Sequence, residues 1–376
     1  MANILITAPS LDENINISGI SSLAKTIINN NSEQHSYFHF RLGKKDSEGK
    51  GLKWLFNQLL IIPGFLLFTL KNNITLIHLN TDLTPLSLIR DFPLLITGKF
   101  ILRKKILLHL HGGRFLMKPP PSRSIFFFLI KTMLKNADTT VVLSETERTA
   151  IARSYILDCS VLPNAVKSNN YRSDKDFSGK LTFFFMGRIV EAKGIFLICE
   201  CLKELASFFS QFSLHIYGTG PDKEELLSKL SSINGLNYSY HGVVRGNYKE
   251  EVLRNAHVFL LPSRFGEGLP IAMLESMSYG CVPIVSDDAS ISTVISNNHN
   301  GYISTKGNAE GLKANLIKAL TYRERLTELS KNARNTIVSR YDLKNYLTSL
   351  NELYQKINSH ESDKLFRHRA EPHHIQ

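Results

Sequence analysis

The chain has 376 residues, a length that allows two or three domains, and its 43% hydrophobic and 21% charged content excludes a disordered or collagen-like protein. Lys and Arg outnumber Asp and Glu by 45 to 33, a formal net charge of +12. Residues 90–135 hold ten basic residues (Arg90, Lys99, Arg103, Lys104, Lys105, Arg114, Lys118, Arg123, Lys131 and Lys135) against Asp91 alone, so the excess calls for an anionic partner: nucleic acid, a membrane surface or a phosphorylated substrate.

Short apolar runs alternate with longer helical patterns. In the first half, strands are predicted over 4–7, 36–40, 76–79, 105–110 and 139–143. Helices are predicted over 20–28, 52–70, 85–97, 122–134 and 146–155. Residues 164–180 are polar and read as a linker. The alternation restarts with strands over 181–186, 212–217, 236–240, 258–261 and 282–285. Helices over 194–209, 222–230, 248–255 and 270–279 lie between them, and helical pattern runs from 309 to about 357. Unalternated strands separated by helices predict parallel sheets covered on both faces. The expected architecture is α/β, two doubly wound Rossmann-like domains with a ligand in the cleft facing the strand ends. The boundaries follow: 1–165, a 166–180 linker, 181–340, a helix over 341–358 returning to the first domain, and a polar tail over 359–376.

Cys159, Cys199, Cys201 and Cys281 make no disulfide framework or zinc spacing and read as reduced, buried thiols of a cytosolic protein. The first ten residues lack a cationic start and open on a strand, so no signal peptide is expected. Residues 59–70 (LLIIPGFLLFTL) are apolar over 12 positions, extended toward Trp54 but interrupted by Asn57 and Gln58. A spanning helix needs roughly 20 apolar residues, so this is a buried or interfacial helix, flanked by Lys53 and Lys71.

The densest chemical signal opens the second half. Strand 181–186 ends in Gly187-Arg188, and Lys193-Gly194 precede the next helix, a geometry suited to a diphosphate at a helix N-terminus. Strand 212–217 ends in Gly218-Thr219-Gly220-Pro221, followed by the acids Asp222, Glu224 and Glu225, which a tight turn and a helix start alone would explain. The third element is Pro262-Ser263-Arg264-Phe265-Gly266-Glu267-Gly268-Leu269-Pro270, with Glu275 eight residues after Glu267. Glu275 sits mid-helix among Ile271, Ala272, Met273, Leu274 and Met277. A carboxylate there needs a cation or hydroxyl partner, and a vicinal diol would serve.

These motifs, with Ser276-Met277-Ser278, Gly280 and Pro283 after Glu275 and Leu162-Pro163-Asn164 at the linker entry, resemble retaining glycosyltransferases of family 4, the glycosyl transferases group 1, with the GT-B fold. The resemblance covers about 120 residues in order and spacing. It implies that Arg188 and Lys193 neutralise the departing diphosphate, that Glu275 holds the nucleotide ribose, and that Glu267 contacts the donor sugar. It also implies that Gly266, Gly268 and Leu269 lie against the sugar and phosphates, with Gly187, Gly218 and Gly220 in the donor site. In the first domain, His111, ahead of Gly112-Gly113 at a strand end, matches a histidine that contacts the donor sugar. His109, on the same strand face, reads as structural. Gly19 would approach the diphosphate from the other side; the family often has two glycines there. The loop Ser286-Asp287-Asp288-Ala289-Ser290 departs from the family's Gly-Gly and acid.

The implied reaction is transfer of a hexosyl or N-acetylhexosaminyl group from a nucleotide-sugar, such as a UDP-sugar, with retention. No protein nucleophile is well placed, so front-face substitution is expected, driven by positioning and electrostatics. No metal or cofactor is expected. Asp174-Lys175-Asp176 fits an Asp-x-Asp pattern but lies in the polar linker and reads as solvated charge. The expected acceptor is a glycan or a polyprenyl-diphosphate-linked chain of bacterial surface polysaccharide synthesis, of the O-antigen, lipopolysaccharide or capsule type. The basic strip and residues 59–70 point to a cytoplasmic protein held peripherally at the inner, anionic face of the cell membrane. The competing readings are a soluble acceptor, a sugar-nucleotide epimerase on the same fold, and a nucleic-acid-binding protein. Against the last, Phe126, Phe127 and Phe128 form one apolar run rather than interleaved stacking platforms.

Overall fold

The computed structural model describes residues 1–13, 16, 18–43, 60–168 and 175–359. The first domain contains β1 (Asn3–Ala8), α1 (Gly19–Asn31), β2 (Ser36–Arg41), α2 (Ile61–Lys71), β3 (Leu76–Thr81) and α3 (Pro85–Ile96). A π-helical turn (Thr97–Ile101), β4 (Lys105–Leu110), α4 (Arg114–Met117), α5 (Ile125–Asn136), β5 (Thr139–Val142), α6 (Glu145–Tyr155) and β6 (Ser160–Val161) complete it. Its strands are parallel in the order β2-β1-β3-β4-β5-β6. Every residue of β3 is buried, as a strand covered on both faces requires.

The second domain contains β7 (Leu181–Met186), a 3₁₀ turn (Glu191–Lys193), α7 (Ile195–Leu205), β8 (Phe212–Tyr217), α8 (Lys223–Ser231), β9 (Tyr238–Gly242) and α9 (Gly246–Asn255). It continues through β10 (Val258–Leu261), α10 (Ile271–Ser278), β11 (Val282–Ser286), α11 (Ile291–Val294) and β12 (Tyr302–Ser304) to α12 (Ala309–Thr321) and α13 (Arg323–Arg340). Its order is β12-β11-β10-β7-β8-β9, again parallel. The chain runs from β7 outward to β9 and then returns to the other side of β7. The strand order therefore reverses between β7 and β10, whose carboxyl ends flank the crevice where such sheets bind ligands.

The last helix, α14 (Leu343–Asn358), starts at Asp342, whose carboxylate accepts from Lys344 N–H. Leu343, Tyr346, Leu350, Tyr354 and Ile357 pack with Ile4, Ile6, Leu76, Leu107 and Val141, covering one face of the first sheet beside α1. The other face carries α2, α3, α5 and α6.

The departures from the sequence reading have physical causes. The helical pattern from 309 to 357 is three helices, broken at Tyr322 and at Tyr341-Asp342. The helix expected over 194–209 ends at Leu205, and the strand expected from 236 begins at Tyr238. The short elements β6, β12, α4 and α11 carry too few residues to show a period. Of the helix expected over 52–70, positions 52–59 lie outside the described residues, as do 169–174 of the linker, including Asp174, and the tail from 360. The rest of the linker is not a bare spacer. Phe177 is buried in the second core, and Lys175 Nζ donates to Leu253 O at 2.9 Å, Arg254 O at 2.7 Å and Ala256 O at 2.5 Å, closing the end of α9. All four cysteines are buried and unpaired. Among the described residues no helix is long and apolar enough to cross a membrane.

Candidate active site

The site grows from two interlocked strand-end loops. Gly187 follows β7, and its N–H donates to Tyr217 O, while Ile189 N–H donates to Thr219 O. The loop after β8 presses so closely on this segment that a Cβ on Gly218 (φ +135°) would stand 1.8 Å from Gly187 O, and one on Gly220 2.0 Å from Ile189 O. Backbone packing alone therefore demands glycine at 218 and 220. Arg188, projected from this platform, is exposed and makes no ion pair or hydrogen bond with the described residues.

Lys193 ends the 3₁₀ turn, which is held to the loop after β10 by Arg264 N–H donating to Ala192 O at 2.8 Å. Its Nζ lies 2.5 Å from Glu267 Oε1, which also accepts from Ser263 Oγ at 2.7 Å. Glu267 is only 6% exposed. Its N–H donates to Asp288 Oδ2 at 3.0 Å, and Asp288 Oδ1 pairs with Lys306 Nζ at 2.9 Å. A nearly buried carboxylate is thus neutralised and held at both its side chain and its backbone. Gly266 (φ +86°) stands in open space beside it, whereas Leu269 is buried and its carbonyl accepts from Asn164 Nδ2 at 2.7 Å.

Glu275 is half-buried rather than enclosed by apolar side chains, and it pairs with Lys249 of α9 at 2.6 Å. The helix start places its carboxylate on a face open to that neighbour.

The first domain meets this loop directly. A Cβ on Gly112 would stand 2.8 Å from Gly268 N, and one on Gly268 3.1 Å from His111 O, so the two backbones touch across the cleft. His111 Nε2 lies 2.7 Å from Asn80 Oδ1, and Asn80 Nδ2 donates to Thr7 O at 2.8 Å, which fixes the amide orientation. Nε2 is therefore the protonated nitrogen, and Nδ1 remains an acceptor. Behind it the rings of His109 and His111 stand 4.1 Å apart, and His78 links His109 at 3.1 Å to Tyr354 OH at 2.7 Å. Burial pushes His111 and His78 down to about 3 and His109 well below its ordinary range, so all three rings are neutral. His109, fully buried, is structural.

Further contacts close the cleft. Arg245 Nη2 donates to Glu13 O at 2.7 Å, and a Cβ on Gly19, the first residue of α1, would lie 3.9 Å from Ile271 Cδ1. Ser290 Oγ donates to Glu147 Oε1 at 2.8 Å and lies 2.9 Å from Ser144 Oγ, the N-cap of α6. Burial pushes the Glu147 carboxyl up to about 7, against the bonds from Leu143 N–H and Ser290.

The interdomain contact therefore gathers Gly19, His111, Glu267, Gly268 and Leu269, and Lys193 joins it through Glu267. Gly187, Gly218 and Gly220 form the platform that carries Arg188, and Glu275 forms a separate pair with Lys249. Sequence reasoning missed Lys249, Asp288, Lys306, Asn80 and Arg245. Each acts on a partner far away in the chain, and the one local signal was the doubled acid at 287–288. Chemically, the arrangement offers a guanidinium that pairs with none of the described residues, an ammonium with donors to spare, a held carboxylate, and a neutral imidazole on the domain whose backbone meets that carboxylate's loop.

Two doubly wound domains whose strand-end loops meet in this way define the GT-B fold. Residues 167–336, nearly the whole second domain, match the family model for glycosyl transferases group 1. A glycosyltransferase of Methanocaldococcus jannaschii is 22% identical over 280 residues, covering 70% of this chain and 71% of that protein. The amylovoran biosynthesis glycosyltransferase AmsK of Erwinia amylovora is 28% identical over 146 residues, 37% of this chain and 35% of that protein. The Anabaena HepE structure with UDP-glucose superposes with a TM-score of 0.74 at 16% identity, over 95% of this chain and all of that one.

Proposed function

We propose that the protein is a retaining glycosyltransferase of the family 4 type that moves a hexosyl or N-acetylhexosaminyl group from a UDP-sugar to a glycan or polyprenyl-diphosphate-linked acceptor. Its setting in this reading is bacterial surface polysaccharide synthesis, at the cytoplasmic face of the cell membrane. The observation that carries it is Arg188, which pairs with none of the described residues and stands on the loop that leads to the Lys193–Glu267 pair, with His111 on the facing domain. The relative named for amylovoran biosynthesis and the neighbour holding UDP-glucose support acceptor class and donor in turn.

In this reading the leaving diphosphate sits over Arg188 and Lys193, and the turn that opens α7 adds its positive end. Lys193 has three N–H donors, so holding Glu267 leaves others for phosphate oxygen. Glu267 and the neutral Nδ1 of His111 accept from sugar hydroxyls, and Glu275 takes the vicinal diol of the ribose. The sugar–phosphate bond breaks as the acceptor oxygen forms its bond on the same face. The departing phosphate oxygen takes the acceptor proton. Charge on that oxygen is met by donors already in place, which is where preorganised electrostatics lowers a barrier most.

The test is a panel of UDP-, GDP- and ADP-sugars assayed for hydrolysis and transfer, with NMR of the anomeric centre of the product. Turnover of a UDP-sugar with retained configuration is the expected result. Inversion, or no turnover of any nucleotide-sugar, would overturn the reading.

A further inference from the structure

The helix layer formed by α2, α3 and α5 is one-sided. Phe65, Leu88, Leu94, Ile130 and Met133 point from it into a single core against Leu79, Leu108 and Val142. Its members are neighbours, α2 packing on α3 and the π-turn, and α3 on α5. The opposite face is also apolar. Leu67, Leu70, Leu86, Ile89, Phe100 and Phe128 are each 55–69% exposed on it. A helix apolar all round is ordinarily enclosed, and α2 is not.

Charge surrounds this patch with one sign. Residues 60–138 contain eleven Lys and Arg and three acids. Asp91 is buried against Arg90, and Asp138 is shared by Lys99 and Lys105. Lys71, Arg103, Lys104, Lys131 and Lys135 find no carboxylate among the described residues. Lys131 and Lys135 continue along α5 the line that Phe128 begins.

We propose that this outer face seats on an anionic phospholipid bilayer, its apolar side chains entering the headgroup boundary and the cations meeting lipid phosphates. Apolar area set among unneutralised cations is the chemistry of an interfacial surface. The face also has a direction. α3 and α5 start beyond the carboxyl ends of β3 and β4, the edge at which His111 stands, and their first turns carry Leu86, Ile89 and Phe128. The bilayer therefore borders the cleft mouth. The inference rests on the proposed function only for what the membrane delivers there, a lipid-linked acceptor.

The test is flotation of the full chain with phosphatidylcholine vesicles, with and without roughly 30% phosphatidylglycerol, in the absence of donor and acceptor. Partitioning at least tenfold stronger to the anionic vesicles, falling with salt, is expected. Two surface variants should each lower it at least tenfold while keeping Tm and donor turnover: Leu67→Ser/Ile89→Ser/Phe100→Ser/Phe128→Ser and Arg103→Glu/Lys104→Glu/Lys131→Glu. Equal binding to both vesicles, no binding, or wild-type binding by both variants would overturn the proposal. So would self-association that the serine variant abolishes, since a second copy would then be the occupant. Intact vesicle binding with no donor turnover would count against the transferase reading and leave this one standing.

Discussion

Lys193 and Glu267 belong to loops that leave adjacent strands, β7 and β10, and their side chains meet at 2.5 Å. The strand-order reversal brings together residues 74 positions apart, and the pair fixes a cation in the crevice before any ligand arrives.

This pairing separates the two cations by their cost to the fold. Arg188→Ala and Lys193→Ala are both expected to lower kcat by roughly 10²–10³-fold, the loss of one preorganised donor to developing negative charge. Only Lys193→Ala should also destabilise, by about 1–2 kcal/mol, because it leaves Glu267 without its counter-ion; the figure is below that for a fully enclosed pair since Lys193 is 29% exposed. Steady-state kinetics and thermal melts of the two variants check both halves. Near-wild-type kcat in both would refute the diphosphate role.

Glu275→Ala should raise the donor KM about tenfold or more while leaving kcat nearly unchanged, as loss of a ribose contact made equally in ground and transition states. Lys249→Ala should follow in the same direction by freeing the carboxylate from its partner. An unchanged donor KM in Glu275→Ala would rule out the ribose role.

Glu147 makes stability depend on pH. Its carboxyl is pushed up to about 7 in the fold from an ordinary 4.5, so the native state holds a proton that the unfolded chain releases. Its contribution is fully present below about 4.5 and is lost as pH rises through 7. The buried histidines act oppositely, since depressed values near 3 favour the fold above 6.5 and weaken it as pH falls. Glu147→Gln should therefore gain Tm relative to wild type between pH 5 and 7.5, with the histidine limb unchanged. A wild-type–variant difference that stays constant with pH would contradict this.

Gly218→Ala should cost about 2–4 kcal/mol, because the new methyl would overlap Gly187 O and neither backbone can withdraw without breaking the Gly187–Tyr217 hydrogen bond. A denaturant midpoint equal to wild type would show that the loops part more easily than their packing implies.

The strands were readable because burial on both faces leaves nearly continuous apolar runs, as in β7 and β10, and the glycine-bounded loops marked where they end. The loop residues Gly187, Arg188, Lys193 and Glu267 were visible for the same reason, each lying within seven positions of such an end, and Glu275 stood out as a carboxylate in an apolar helix. Lys249 and Asp288 were not, since a carboxylate does not announce which distant amine will answer it. Gly218 was legible as a turn glycine, but not its partner: the space a side chain would take is filled by the Gly187 carbonyl. His111 was legible as a strand-end histidine, but its tautomer depends on Asn80, a residue of the neighbouring strand.

Val166 and Asp342 run side by side, Val166 N–H bonding Tyr341 O and Leu343 N–H bonding Val166 O, where the chain leaves the first domain and where it comes back. The second domain is thus, in folding terms, an insertion within the first. On the ribosome it can complete its core while the first sheet still lacks α14. Leu107 and Val141 then wait for Leu350 and Tyr354, with His78 lacking its Tyr354 hydroxyl, until the last helix emerges. A chain stopped before Leu343 would finish the second domain and leave the first, which carries His111, with one apolar face covered by α1 alone.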